Sequence, residues 1–252
     1  MNELFIKQLG IRAEIPKGNY ISGIPAVKNL MQTETLTFRK PVTFFVGENG
    51  IGKSTLIEAI AVCAGFNPEG GTVNFNFSTR QSHSDLYKYL LVAKGFRRYR
   101  DGFFLRAESF FNVATNIEDM DREPSFSPPV IESYGGVSLH EQSHGESFLA
   151  LVENRFGGNG LYILDEPEAA LSPTGIMRLI CNIDRLVKNG SQFIISTHSP
   201  ILTAYPDADI YELTESGIEL VPYNETEHYR VTKEFINNPE AMLSVLLRQN
   251  EK

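Results

Sequence analysis

The stretch Gly47-Glu48-Asn49-Gly50-Ile51-Gly52-Lys53-Ser54-Thr55 constrains this chain more than any other. It satisfies the pattern G-x-x-x-x-G-K-[ST] at every position and stands in the context that the pattern needs. An apolar, β-prone run at residues 42–46 enters it, and a run with helical spacing (Leu56, Ile57, Ala59, Ile60, Ala61) leaves it. Glycines let a backbone close around a phosphate chain with several N–H groups turned inward. The helix that follows adds the positive end of its dipole. Lys53 is expected to reach the β- and γ-phosphates and the Ser54 hydroxyl to face Mg2+, with Gly47, Asn49, Gly50, Gly52 and Thr55 completing the cradle. A glycine-rich turn ahead of a purely structural helix is the plainer alternative. The unbroken order of strand, loop, Lys-Ser and helix argues against it and for a nucleoside triphosphate.

The second half of the chain supplies groups that such a ligand requires. Leu161-Tyr162-Ile163-Leu164 is a continuous apolar run, the pattern of a strand buried on both faces of a parallel sheet. It ends in Asp165-Glu166-Pro167, so two carboxylates stand at the carboxyl edge of the sheet, where open α/β folds bind ligands. Asp165 is the candidate Mg2+ ligand and Glu166 the group that polarises the attacking water. Solvated acids at a strand end are the alternative. Gln192-Phe193-Ile194-Ile195-Ser196-Thr197-His198 repeats the arrangement and brings His198 to the same edge, either as a structural histidine or as a hydrogen-bonding partner of the γ-phosphate. Ser143-His144-Gly145-Glu146 reads as a capping box that opens an amphipathic helix, and a capped helix N-terminus also suits an anion.

Length, charge and composition narrow the class. A chain of 252 residues accommodates one large α/β domain, or one with an inserted lobe. With 42% hydrophobic residues a full core forms without disulfides or metals. The net charge of −8 argues against a surface built mainly for nucleic acid, leaving only a local patch such as Arg97-Arg98-Tyr99-Arg100, which reads more simply as a solvated turn. No apolar run has bilayer length, and the first residues lack a signal-peptide core, so a cytoplasmic location is expected. Cys63 and Cys181 match no C-x-x-C spacing and are expected to be reduced core thiols.

Elsewhere the pattern predicts strands near residues 4–11 and 34–38, with Tyr20 in the loop between them as an adenine-stacking or a surface aromatic. Residues 72–77 alternate like a half-buried strand. Residues 84–94 carry helical spacing. Residues 102–108 read as a core strand that delivers Glu108 to the site edge, and residues 116–136 as an acidic, Pro-rich flexible lobe or linker. A hairpin at 210–221 closes the sheet, and one terminal helix at 231–247 reads more simply as core packing than as a partner site.

With these residues assembled, the chain resembles the ATP-binding-cassette ATPase superfamily. Residues 47–54 resemble its Walker A motif, 161–166 its Walker B strand and catalytic glutamate, 168–172 its D-loop, His198 its switch histidine, and 143–147 the start of its signature helix. The phrasing Asp-Glu-Pro-Glu and Ser-Thr-His-Ser-Pro is closer to stand-alone ATPases of the chromosome-maintenance and recombination branch than to transporter cassettes. The signature departs from the common form, with Gln142-Ser143-His144-Gly145-Glu146 in place of Leu-Ser-Gly-Gly-Gln. Glu108 stands nearest to the missing Q-loop glutamine and is the third candidate Mg2+ ligand. Only 90 residues separate Lys53 from Ser143, too few for a long coiled-coil arm.

The resemblance implies an α/β P-loop NTPase: a mostly parallel sheet flanked by helices, an N-terminal antiparallel β-layer, a small inserted helical and signature lobe at about 80–155, and a C-terminal helix at about 225–252. It implies an Mg-dependent ATPase working as an ATP-dependent homodimer, in which Ser143 and Gly145 complete the partner's site. The partner protein is undefined: the motif phrasing points to DNA transactions or defence, and the alternative is the energy subunit of a membrane transporter.

Overall fold

The computed structural model describes residues 3–16, 18–33, 35–73, 84–107, 110, 115, 117, 121, 129–136, 138 and 143–248. Its frame is a six-stranded sheet made from the apolar runs. In order across the sheet these are β5 (Asp101–Arg106), β6 (Gly160–Asp165), β7 (Gln192–Ser196), β3 (Val42–Gly47), β8 (Ala208–Leu213) and β9 (Ile218–Leu220). All neighbours are parallel except β9, which returns from β8 as an antiparallel hairpin. Every residue of β3, β6 and β7 is buried. A strand covered on both faces has no side to leave polar, which accounts for the unbroken apolar composition.

Alternate side chains supply two cores. Phe45, Phe104, Leu161 and Ile163 face one, and Phe44, Val46, Phe103, Leu105, Tyr162 and Leu164 the other. The first core is closed by α2 (Lys53–Ala64) and by a three-stranded antiparallel sheet in the order β2 (Leu36–Thr37), β1 (Ile6–Ile11), β4 (Leu90–Lys94). The second is closed by α3 (His144–Arg155) and α4 (Pro173–Lys188). Gln192, at the start of β7, ties the two sheets together. Its Oε1 accepts from Phe5 N and Ile6 N at 2.8 and 2.9 Å, and its Nε2 donates to Ile6 O at 2.9 Å.

Several expectations need correction. Residues 84–94 form a short 3-10 turn (Asp85–Lys88) followed by strand β4, because Leu90 and Val92 pair with Ile11 and Leu9 of β1. Within the stretch expected as an inserted helical lobe at about 80–155, residues 90–94 and 101–106 are instead the sheet strands β4 and β5. The terminal segment is two helices, α5 (Glu227–Asn237) and α6 (Pro239–Arg248), broken where Pro239 removes a backbone donor. Their apolar residues Val231, Ile236, Val245, Leu246 and Leu247 are exposed, not packed on the core. Cys181 is exposed as well, while Cys63 is partly buried. Tyr134, in the stretch read as a flexible lobe, is fully buried. Most of the strand expected at 72–77 lies outside the described residues. Among those residues no helix is long and apolar enough to cross a membrane.

Candidate functional site

The parallel register aligns the strand ends. Phe45 and Asp165 both pair with Ser196, which brings the ends of β3, β6 and β7 to one edge. There Gly47 leaves β3 at φ 141°, a region that L side chains avoid, and a Cβ would stand 2.3 Å from Leu213 O. Gly52 closes the loop at φ 106°, where a Cβ would stand 2.3 Å from Ile24 Cγ2. Both positions therefore demand glycine, and the cradle is one that side chains would fill. α2 starts at Lys53, immediately beyond Gly52, and no side chain caps it. Its first N–H groups are thus left for a ligand.

Lys53 is buried, and its Nζ donates to Gly47 O and Glu48 O at 2.9 and 3.0 Å. Burial lowers its pKa, opposed by the carboxylates Glu166, Asp165 and Glu168. The loop and Glu166 together line a recess of about 220 Å3 with Ile24, Asn49, Gly50, Ser54 and Thr55.

Asp165 is buried, and burial raises its pKa. Three partners oppose that shift: Ser196 Oγ donates to Oδ1 at 2.5 Å, Ser54 bonds the carboxyl, and Arg106 Nε lies 3.5 Å from Oδ2. Arg106 continues to Glu58, with Nη1 2.8 Å from Oε2, and the other Glu58 oxygen accepts from Ser84 N at 2.8 Å. A divalent cation suits a buried carboxylate beside a serine hydroxyl, because it replaces the water that burial removed. Ser54 and Asp165, both foreseen, are therefore side by side and fit Mg2+.

Glu166 adopts a left-handed backbone, φ 50° and ψ 53°, held by hydrogen bonds from its N–H to Ser196 O and Oγ. A non-glycine residue there carries strain that the surroundings must impose, a feature that clusters at active sites. The turn aims its side chain at the loop recess, with Oε1 3.3 Å from His198 Nε2. His198 is a neutral imidazole at pH 7: burial, then the charge of Lys53 and the neighbouring His228, lower its pKa to about 4. Its backbone N–H donates to Glu168, whose own pKa is raised by burial.

Loop, Lys53, Ser54, Asp165, Glu166 and His198 thus lie together at one sheet edge. Ser143 and Gly145 do not join them. Ser143 caps α3 in a complete capping box with Glu146 and lines, with Gly145, Ala170, Leu171, Ser172 and Arg178, a separate recess of about 380 Å3. The two recesses share no lining residue. Tyr20 is exposed and lines neither. Glu108 lies outside the described residues. Ser196, Arg106, Glu58 and His228 escaped sequence reading. For Ser196 a signal existed, since it ends an apolar strand as Asp165 does; the others reach the site only through the fold.

Residues 21–103 match a protein family described as "AAA domain", and residues 131–204 one described as "AAA domain, putative AbiEii toxin, Type IV TA system". The energy-coupling factor transporter ATP-binding protein EcfA2 of Mycoplasmopsis pulmonis is 27% identical, with 61% of this chain and 60% of that protein covered. The cytochrome c biogenesis ATP-binding export protein CcmA of Maricaulis maris is 28% identical, over 66% of this chain and 76% of that protein. The fold is that of MJ1267, an ATP-binding cassette of an ABC transporter: the TM-score is 0.50 at 16% identity, covering 95% of this chain and 97% of that one. Both matched stretches therefore resemble AAA/ABC-type P-loop ATPase domains. It spans 60% of the length of the EcfA2 relative.

Proposed function

We propose that the chain binds and hydrolyses Mg-ATP at a composite site formed by two copies in head-to-tail arrangement, and that closing and opening of this pair drives a partner protein. The observation that carries the reading is Glu166, strained into the loop recess beside His198 and Lys53. Lys53 and the loop amides neutralise phosphate oxygens. Ser54 and Asp165 hold Mg2+, which when bound screens the charge of the phosphates. Glu166 orients or deprotonates the attacking water, and His198 contacts the γ-phosphate. Ser143 and Gly145 of one copy complete the site of the other, which accounts for two recesses without shared lining. Glu108 remains the candidate third metal ligand on motif position alone.

The experiment is Glu166→Gln in Mg-ATP. Removing the base lowers turnover by about 10²- to 10⁴-fold while leaving nucleotide bound, so light scattering is expected to report a dimer. A variant that stays monomeric sinks the composite site, and one that turns over like the parent sinks the assignment of Glu166.

For the partner, the named relatives support a transporter's ATP-binding subunit better than the DNA or defence reading of the motif phrasing, since EcfA2 and CcmA are transport and export proteins by name. Affinity capture with ATP-loaded Glu166→Gln from detergent-solubilised membranes separates the two. A polytopic membrane protein as the dominant partner supports the transporter, and a soluble or DNA-bound partner the other.

A further inference from the structure

α5 reaches back into the phosphate site through one side chain. His228, in its first turn, sets Nε2 3.0 Å from His198 Nδ1, and the rings meet edge to face with centroids 5.0 Å apart. Thr226 caps that turn and Glu227 N bonds Glu212 Oε1 at 2.8 Å, so the helix start is anchored independently of the pair.

A hydrogen bond between the two imidazoles needs one donor and one acceptor, which leaves two arrangements. In the first, His198 Nδ1–H donates to His228 Nε2. His198 Nε2 then turns a lone pair toward the Glu166 carboxylate 3.3 Å away. His228 must also carry its proton on Nδ1, a buried atom with no hydrogen-bond partner among the described residues. In the second, His228 Nε2–H donates to His198 Nδ1. His198 then holds its proton on Nε2, facing Glu166, and the orphan at His228 Nδ1 is an acceptor. His198 Nε2 likewise makes no hydrogen bond among the described residues, so each arrangement leaves one buried N–H and one buried acceptor unbonded; the second is favoured because it turns an N–H instead of a lone pair toward the Glu166 carboxylate.

We propose that His228 is a positioning residue of the phosphate site: its Nε2–H fixes His198 in the Nε2-protonated tautomer and so presents a donor to the terminal phosphate. Phosphate oxygens accept hydrogen bonds, and the other tautomer would offer them a lone pair. This rests on the reading of His198 as a phosphate contact.

Two measurements test it. In nucleotide-free protein at pH 7, imidazole 15N shifts should show His198 protonated on Nε2, with a mixed tautomer in His228→Phe, which keeps ring volume but no donor. In steady-state assays kcat/KM for ATP should fall about five- to tenfold in His228→Phe, and His228→Gln, which restores an amide donor, should recover most of it. A wild-type His198 protonated on Nδ1, or a His228→Phe variant with unchanged tautomer and turnover, overturns the proposal. Lys53→Ala separates this failure from failure of the site: if it also hydrolyses ATP at the parental rate, the nucleotide reading itself falls, whereas the tautomer pattern still decides the role of His228.

Discussion

Replacing Arg106 by Met removes the cation that stands between Glu58 and Asp165, two carboxylates with side chains only 9% and 6% exposed. Methionine keeps much of the apolar stem, so the loss is mainly electrostatic. Glu58 retains its bond from Ser84 N, and Asp165 its bonds from Ser196 and Ser54, but Glu58 loses its cationic partner and Asp165 is left with the attraction of Lys53. Removing one partner of a fully buried pair costs 3–5 kcal/mol, and with Arg106 itself 19% exposed the lower end applies, about 3 kcal/mol. With a urea m-value of about 3 kcal/mol/M, the unfolding midpoint should drop by about 1 M. Glu58→Gln should remove part of the excess charge, so the double variant Glu58→Gln/Arg106→Met is expected to be less destabilised than the two single losses summed, by about 1 kcal/mol or more. A midpoint within about 0.1 M of the parent, or strict additivity in the cycle, would refute the reasoning.

Gly52→Ala places a Cβ against Ile24 at φ 106° and should cost about 1–3 kcal/mol while weakening nucleotide binding, checked by calorimetric titration; unchanged affinity contradicts the demand for glycine. Gln192→Leu leaves the N–H groups of Phe5 and Ile6 and the Ile6 carbonyl without their partner, and a loss of about 2–4 kcal/mol by urea unfolding is expected. The lowered pKa of His198, about 4 against an unfolded value of 6.5, makes the unfolded chain bind a proton that the folded one refuses. Its contribution is full above pH 6.5 and is lost as pH falls toward 4. Across that window the midpoint of the parent should therefore fall relative to His198→Gln, and parallel curves would contradict the assignment.

What was legible in the sequence follows the range of the forces involved. Gly47, Gly50, Gly52, Lys53 and Ser54 are written within eight residues, and each residue type is dictated by local backbone geometry or by the ligand. Asp165 and His198 were legible because each follows a strand whose two-sided burial forces an unbroken apolar run. Residues 84–94 misled because their spacing fits a helix locally, while pairing with β1, some 80 residues earlier, makes Leu90–Lys94 a strand. The terminal helices misled differently: Val245, Leu246 and Leu247 look like core by composition, yet the main sheet is already covered on both faces without them. His228, Arg106 and Glu58 carry no sequence pattern at all, because their partners His198 and Asp165 are reached only once the sheet has formed.

The edges of the main sheet limit how copies of this chain can associate. On the outer side of β5, Gly71 exchanges two backbone hydrogen bonds with Phe104, at 2.8 and 2.9 Å, so the middle of that edge is already paired. The opposite edge, β9, has three residues and carries Glu219 at its centre. One edge is plugged and the other is short and charged, the two devices by which sheets resist strand addition. A continuous intermolecular sheet is thereby disfavoured, which fits the proposed pairing of copies through the loops at the carboxyl ends of the strands, the surface that carries Lys53, Glu166 and His198.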